Sequence, residues 1–123
     1  MTQDNITYLT DACLITCVVS ADKGDDILKA ARNLGVSAGI VFQGRGTGLR
    51  ERLGLLGIAV EAKKEVVVMM APNDSRDILI HGLFNAGDMG TPGAGFIYVT
   101  PIDRAALYVP ENIIDQLNAS DSA

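Results

Sequence analysis

The chain has 123 residues, 48% of them hydrophobic, enough for the core of one domain. A formal net charge of −5 and a pI near 4.6 argue against nucleic acid as a partner, because phosphate contacts need a basic face. No apolar run approaches a membrane span, since Lys, Asp or Gly interrupts each one, so no membrane insertion is expected.

Residues 1–11 are polar and predict a flexible N-terminus without the basic-then-apolar signature of a secretory signal, so a cytoplasmic location is expected. The first strand is predicted over 12–20. Cys13 and Cys17 lie four residues apart on it, roughly 13 Å between Cα atoms. That is too far for a disulfide or one shared metal ion, and two buried reduced thiols are expected. Asp22 is the predicted N-cap of a helix with Ile27, Leu28, Ala31 and Leu34 on its apolar stripe, and Gly35 stops it. A second strand is predicted over 37–43. The segment 44–57 has no clear period. A third strand starts after Ile58 and ends near Ala71, before Pro72. Asp74 is the predicted cap of a second helix with Ile78, Leu79, Leu83 and Phe84 inside. A fourth strand covers 95–100, with a short strand over 105–109 and a short helix over 111–117 to follow.

The two halves repeat one another. Cys13–Val19 leads into Asp26-Ile27-Leu28, Asn33-Leu34-Gly35 and Gly39–Phe42; Glu65–Met70 leads into Asp77-Ile78-Leu79, Asn85-Ala86-Gly87 and Gly95–Val99. Strand, helix, strand, twice over, predicts an α+β ferredoxin-like βαββαβ sandwich over 12–109, followed by a C-terminal extension and tail over 110–123. The second half inserts a glycine-rich loop, 88–94, the first place to look for function. Neither Leu14–Val19 nor Val66–Met70 alternates apolar with polar, so both faces of the sheet are expected to be covered. Two helices cover one. Copies of the same chain, or the C-terminal segment, cover the other.

The element order, the long segment opening with Gly44-Arg45-Gly46, and the loop running from Gly90-Thr91-Pro92-Gly93-Ala94-Gly95 into Phe96-Ile97-Tyr98-Val99 resemble the PII and PII-like signalling proteins. The resemblance covers 12–109. It implies a homotrimer whose sheets line a central barrel, and a small anionic effector, an adenine nucleotide (AMP, ADP or ATP), held in clefts between subunits. By position it implies an effector site made of Gly44, Arg45, Gly46 and Gly48 at the base of the T-loop, and Met89, Gly90, Gly93, Ala94 and Gly95 in the B-loop. It also implies a protein partner, such as a membrane transporter, met by the T-loop, here through Arg50, Arg52, Leu53, Leu55 and Leu56. The chain departs from the nitrogen-sensing members. Phe96 replaces the lysine that follows the B-loop, and Leu107 and Val109 stand where two phosphate-gripping arginines would be. Arg104 is the nearby cation. Fewer charge-assisted bonds imply a smaller or weaker ligand than tightly bound ATP. The T-loop also lacks a Tyr or Ser between Gly44 and Ala59 as a modification site.

Other readings stay open. The glycines are either turn formers or, at Gly93-Ala94-Gly95, donors of N–H groups to an anion. Arg45, Arg50 and Arg52 are a solvated loop or an anion-binding cluster. His81 is the single histidine and is expected on the surface, so a His-rich metal site within one chain is not expected. Met69, Met70 and Met89 are expected to pack. No nucleophile–base pair or P-loop lysine motif is present, so no enzyme activity or catalytic cofactor is expected. The alternatives are a trimeric adaptor without a nucleotide, and a small enzyme or metal-tolerance-like protein on the same scaffold.

Overall fold

The computed structural model describes residues 5–36, 39–46, 62–110 and 112. In chain order the elements are β1 (Thr7–Leu9), β2 (Ala12–Ser20), α1 (Gly24–Asn33), β3 (Gly39–Gly46), β4 (Ala62–Pro72), a 3-10 turn (Asn73–Ser75), α2 (Arg76–Ala86), β5 (Gly95–Pro101) and β6 (Ala105–Leu107). Four strands form an antiparallel sheet in the order β3-β4-β2-β5, with α1 and α2 on one face. This is the expected α+β architecture. Thr7–Leu9, expected to be loose, instead pair with Leu107–Ala105 as a two-stranded ribbon. The pairing supplies the backbone bonds that a short polar segment cannot make alone.

The core lies between the sheet and the helices. Cys13, Ile15, Cys17 and Val19 of β2 are fully buried there with Val67, Met69, Ile27, Leu79 and Leu83. Both cysteines are free and buried, as expected. Burial pushes the Cys17 thiol up to about 12, and also raises Cys13 against a smaller opposing pull from Arg76. Thiols held neutral in this way are packing groups and poor nucleophiles.

The helix starts differ from expectation. Asp22 does not cap α1, whose first turn begins at Gly24. The Gly24 N–H donates to Glu65 Oε1 of β4 at 2.8 Å, so a distant strand supplies the cap. Asp74 likewise makes no cap; α2 starts at Arg76 after the 3-10 turn. Ile78 and Phe84, expected inside, are 65% and 42% exposed, while Leu79 and Leu83 hold the core. Leu34, the last predicted stripe position, follows the end of α1, is 39% exposed, and has its side-chain tip where a side chain on Gly82 of α2 would sit.

The face of the sheet away from the helices is apolar, and no other described element packs over it; the C-terminal segment beyond Asn112, the alternative cover, lies outside the described residues. Register places Ile40, Val68, Thr16 and Tyr98 in one row and Phe42, Val66, Val18 and Phe96 in the next. Ile40, Phe42 and Tyr98 are 60%, 52% and 50% exposed, and Met70 on the same face, expected to pack, is also exposed. Phe96 and Tyr98 stack with centroids 6.1 Å apart. Phe96 thus has a place in the apolar rows. β3 runs to Gly46, beyond the predicted end at 43, and β4 and β5 include Pro72 and Pro101 as last residues. The expectations for Gly48, Arg50, Arg52, Leu53, Leu55 and Leu56, and for the helix over 111–117, lie outside the described residues.

Candidate functional site

Antiparallel pairing brings the two glycine segments to one end of the sheet. On one side of β2, Gly44 of β3 stands opposite Lys64 of β4, which in turn stands opposite Ser20. On the other side, Gly95 opens β5 opposite Val19. The Lys64 side chain crosses the end of β2, and its Nζ donates to the Gly93 carbonyl at 3.3 Å. One lysine therefore ties the strand beside Gly44 to the glycine-rich loop. Lys63, next along β4, points to the opposite face by strand alternation. A cleft of about 410 Å³ at this end is lined by Ala21, Gln43, Gly44, Lys63 and Lys64.

The loop after α2 is shaped by its own backbone. Asp88 carries a left-handed φ of 53°. Gly87 is a glycine for space, since a side chain there would meet Met89 and Ile27. The Met89 N–H donates to the Phe84 carbonyl at 3.0 Å, and its side chain is buried in the core. Met89, placed in the effector site by position, is thus the anchor of the loop. Gly90 is exposed. Gly93 and Gly95 have φ of 76° and 154°. The Ala94 N–H donates to the Thr91 carbonyl at 3.2 Å. It is engaged within the loop in this structure and is not turned outward as a free anion donor.

Arg45 and Gly46 extend the β3–β4 ladder opposite Lys63 and Ala62. Arg104 lies elsewhere. Its guanidinium sits 4.7 Å from the centre of the Tyr8 ring, a cation–π contact on the β1–β6 ribbon. Seven residues of β5, roughly 20 Å of strand, separate that end from Gly95. His81 is exposed, as expected. Among the described residues no group of three or more His, Cys, Asp or Glu is placed to hold a metal ion, and no helix is long and apolar enough to cross a membrane.

Sequence reasoning missed Lys63 and Lys64. They stand immediately before the apolar run, where they read as strand-flanking charges. The signal that finds them is register, because Gly44 is paired directly with Lys64.

No family model and no curated protein sequence matches the chain. Among solved structures it is similar to the Arabidopsis thaliana PII protein bound to citrate, with a TM-score of 0.62 and 17% sequence identity, covering 76% of this chain and 79% of that one. With its helix-backed four-stranded sheet and a glycine loop leading into an edge strand, the chain has a PII-like fold.

Proposed function

We propose that the chain is a PII-like regulatory protein that binds a small anionic effector at the Gly44–Gly93 end of the sheet and passes its occupancy to a protein partner. The observation that carries this reading is the Lys64–Gly93 contact, which joins the two glycine segments around a cation. A cation flanked by glycine backbone suits an oxyanion, because little side-chain bulk blocks its approach. An adenine nucleotide is the first candidate. A carboxylate effector is the second, since the structurally similar Arabidopsis protein was solved with citrate.

The open apolar face favours a homotrimer, with the rows through Phe42 and Tyr98 turned inward. Clefts at the sheet ends would then lie at the seams between subunits. The partner, a transporter or another regulated protein, would be met by the segment beginning at Gly44, through Arg50, Arg52, Leu53, Leu55 and Leu56. No catalytic role is assigned to the chain.

Calorimetric titration of the full chain with AMP, ADP, ATP, cyclic AMP and citrate tests this function. Saturable heat with one site per chain is expected for at least one of them. No heat at millimolar concentration of any would leave a ligand-free adaptor as the better reading.

A further inference from the structure

The outer side of α2 is built unlike the outer side of α1. Both helices pack one side against the sheet. The exposed positions of α1 are Asp25, Asp26, Lys29, Arg32 and Asn33, all polar, with the two signs of charge balanced. On α2, Leu79 and Leu83 fill the core, and an exposed row of Ile78, His81 and Phe84 follows at every third residue. Residues three apart on a helix are neighbours, so the row is one strip of surface. A surface helix ordinarily keeps its outer side polar, as α1 does. Apolar residues on both sides mark a helix that is covered on both. Assembly through the apolar sheet face would not cover this strip, because the helices lie on the other face of the sheet.

The strip is flanked by negative charge. Asp77 lies four residues before His81 and Asp88 four residues after Phe84, and both are exposed. Arg76, the single Lys or Arg of α2, lies toward β2, where it acts on the Cys13 thiol. The last turn of α2 holds no basic residue, so the negative end of the helix dipole adds to Asp88 instead of being offset. At this end the Phe84 ring also meets the glycine-rich loop, 3.9 Å from where a Cβ on Gly90 would sit. We propose that the Ile78–His81–Phe84 strip is a docking surface for a basic amphipathic helix of a partner protein. Its apolar side covers Ile78 and Phe84, and its Lys or Arg side chains meet Asp77 and Asp88. An acidic segment would bring like charges together here. This surface is separate from the segment after Gly44, and it stands whether or not the glycine-loop end binds an effector.

The test titrates the full chain by calorimetry with two designed helical peptides. One is made of Leu and Lys with every leucine on one side, and the other carries Glu in place of Lys. Saturable binding of the Leu–Lys peptide is expected, about tenfold or more tighter than that of the Leu–Glu peptide. Ile78→Ser combined with Phe84→Ser should weaken it about tenfold or more, with circular dichroism retained because both side chains are exposed. Asp77→Asn with Asp88→Asn should weaken it several-fold, since Asn tolerates the left-handed backbone at position 88. Asp25→Asn with Asp26→Asn should leave it unchanged, which separates docking on α2 from the general pull of an acidic protein on a cationic peptide. In NMR spectra the amide signals of His81 and Gly90 should move with added peptide while those of Asp25 and Asp26 stay. Undiminished binding by the Ile78/Phe84 variant, equal losses from the two aspartate pairs, or no binding by wild-type protein would overturn the proposal. So would a wild-type assembly that sediments as a smaller one in the Ile78/Phe84 variant, because a second copy would then be the cover.

Discussion

At Gly95 the backbone leaves no room for a side chain. Its φ is 154°, and a Cβ there would run into the Val18 carbonyl of the neighbouring strand. Gly44 is the opposite case, with nothing within 4 Å of where a Cβ would sit. The two glycines assigned to one site thus separate by experiment. Gly95→Ala is expected to lower unfolding stability by about 2–4 kcal/mol in urea denaturation, since strained backbone and a displaced strand add together. Gly44→Ala should change it by less than about 0.5 kcal/mol. Any loss of effector affinity in Gly44→Ala then reports on the site alone. Loss in Gly95→Ala reports on the fold first.

Among the elements, α1 depends on β4. The single carboxylate of Glu65 answers the first N–H of the helix, which no side chain of its own turn does. Replacing a capping acceptor typically costs about 1 kcal/mol, and more when the donor is partly buried. Glu65→Ala should therefore lower the melting temperature, with exchange rising first at Gly24 and the residues after it. Asp22→Ala, at the position the sequence favoured, should leave melting unchanged. This contrast shows what a linear pattern can carry. The repeat of strand, helix, strand was legible because apolar periodicity is local, as in Ile27 and Ala31 or Leu79 and Leu83. The cap was not, because Gly24 and Glu65 are 41 residues apart and meet only once β4 is in register. For the same reason Gly44 and Gly93 were visible as glycines, while Lys64, which joins them, was not. Ile78 and Phe84 are apolar and read as inward-facing in the sequence, yet both are exposed. The helix has two buried positions to fill, and Leu79 and Leu83 fill them.

At the scale of the whole molecule, the decisive quantity is the apolar sheet face that the described residues leave uncovered. β2 is buried on its helix side and largely sheltered on the other by its neighbours β4 and β5, but the sheet edges leave Ile40, Phe42 and Tyr98 half-exposed or more. Burying one such aromatic is worth about 1.5–3 kcal/mol, so several copies of these rows together outweigh the entropy of a stable association. Wild-type protein is expected to sediment as an oligomer at micromolar concentration. Phe42→Glu, which puts a charge in the middle of a row, should sediment as a single chain with its circular dichroism retained. A wild-type protein that sediments as one chain would remove the trimer from the proposed function.

Lys64 and Glu65 are neighbours on β4 and serve opposite faces of it: one reaches the glycine loop, the other the start of α1. Because side chains alternate along a strand, a shift of β4 by a single step would send each to the wrong side at once. The pair is a registration mark. It locks the sheet into one alignment from above and below, in a strand whose valine-rich interior, Val66-Val67-Val68, would by itself accept several.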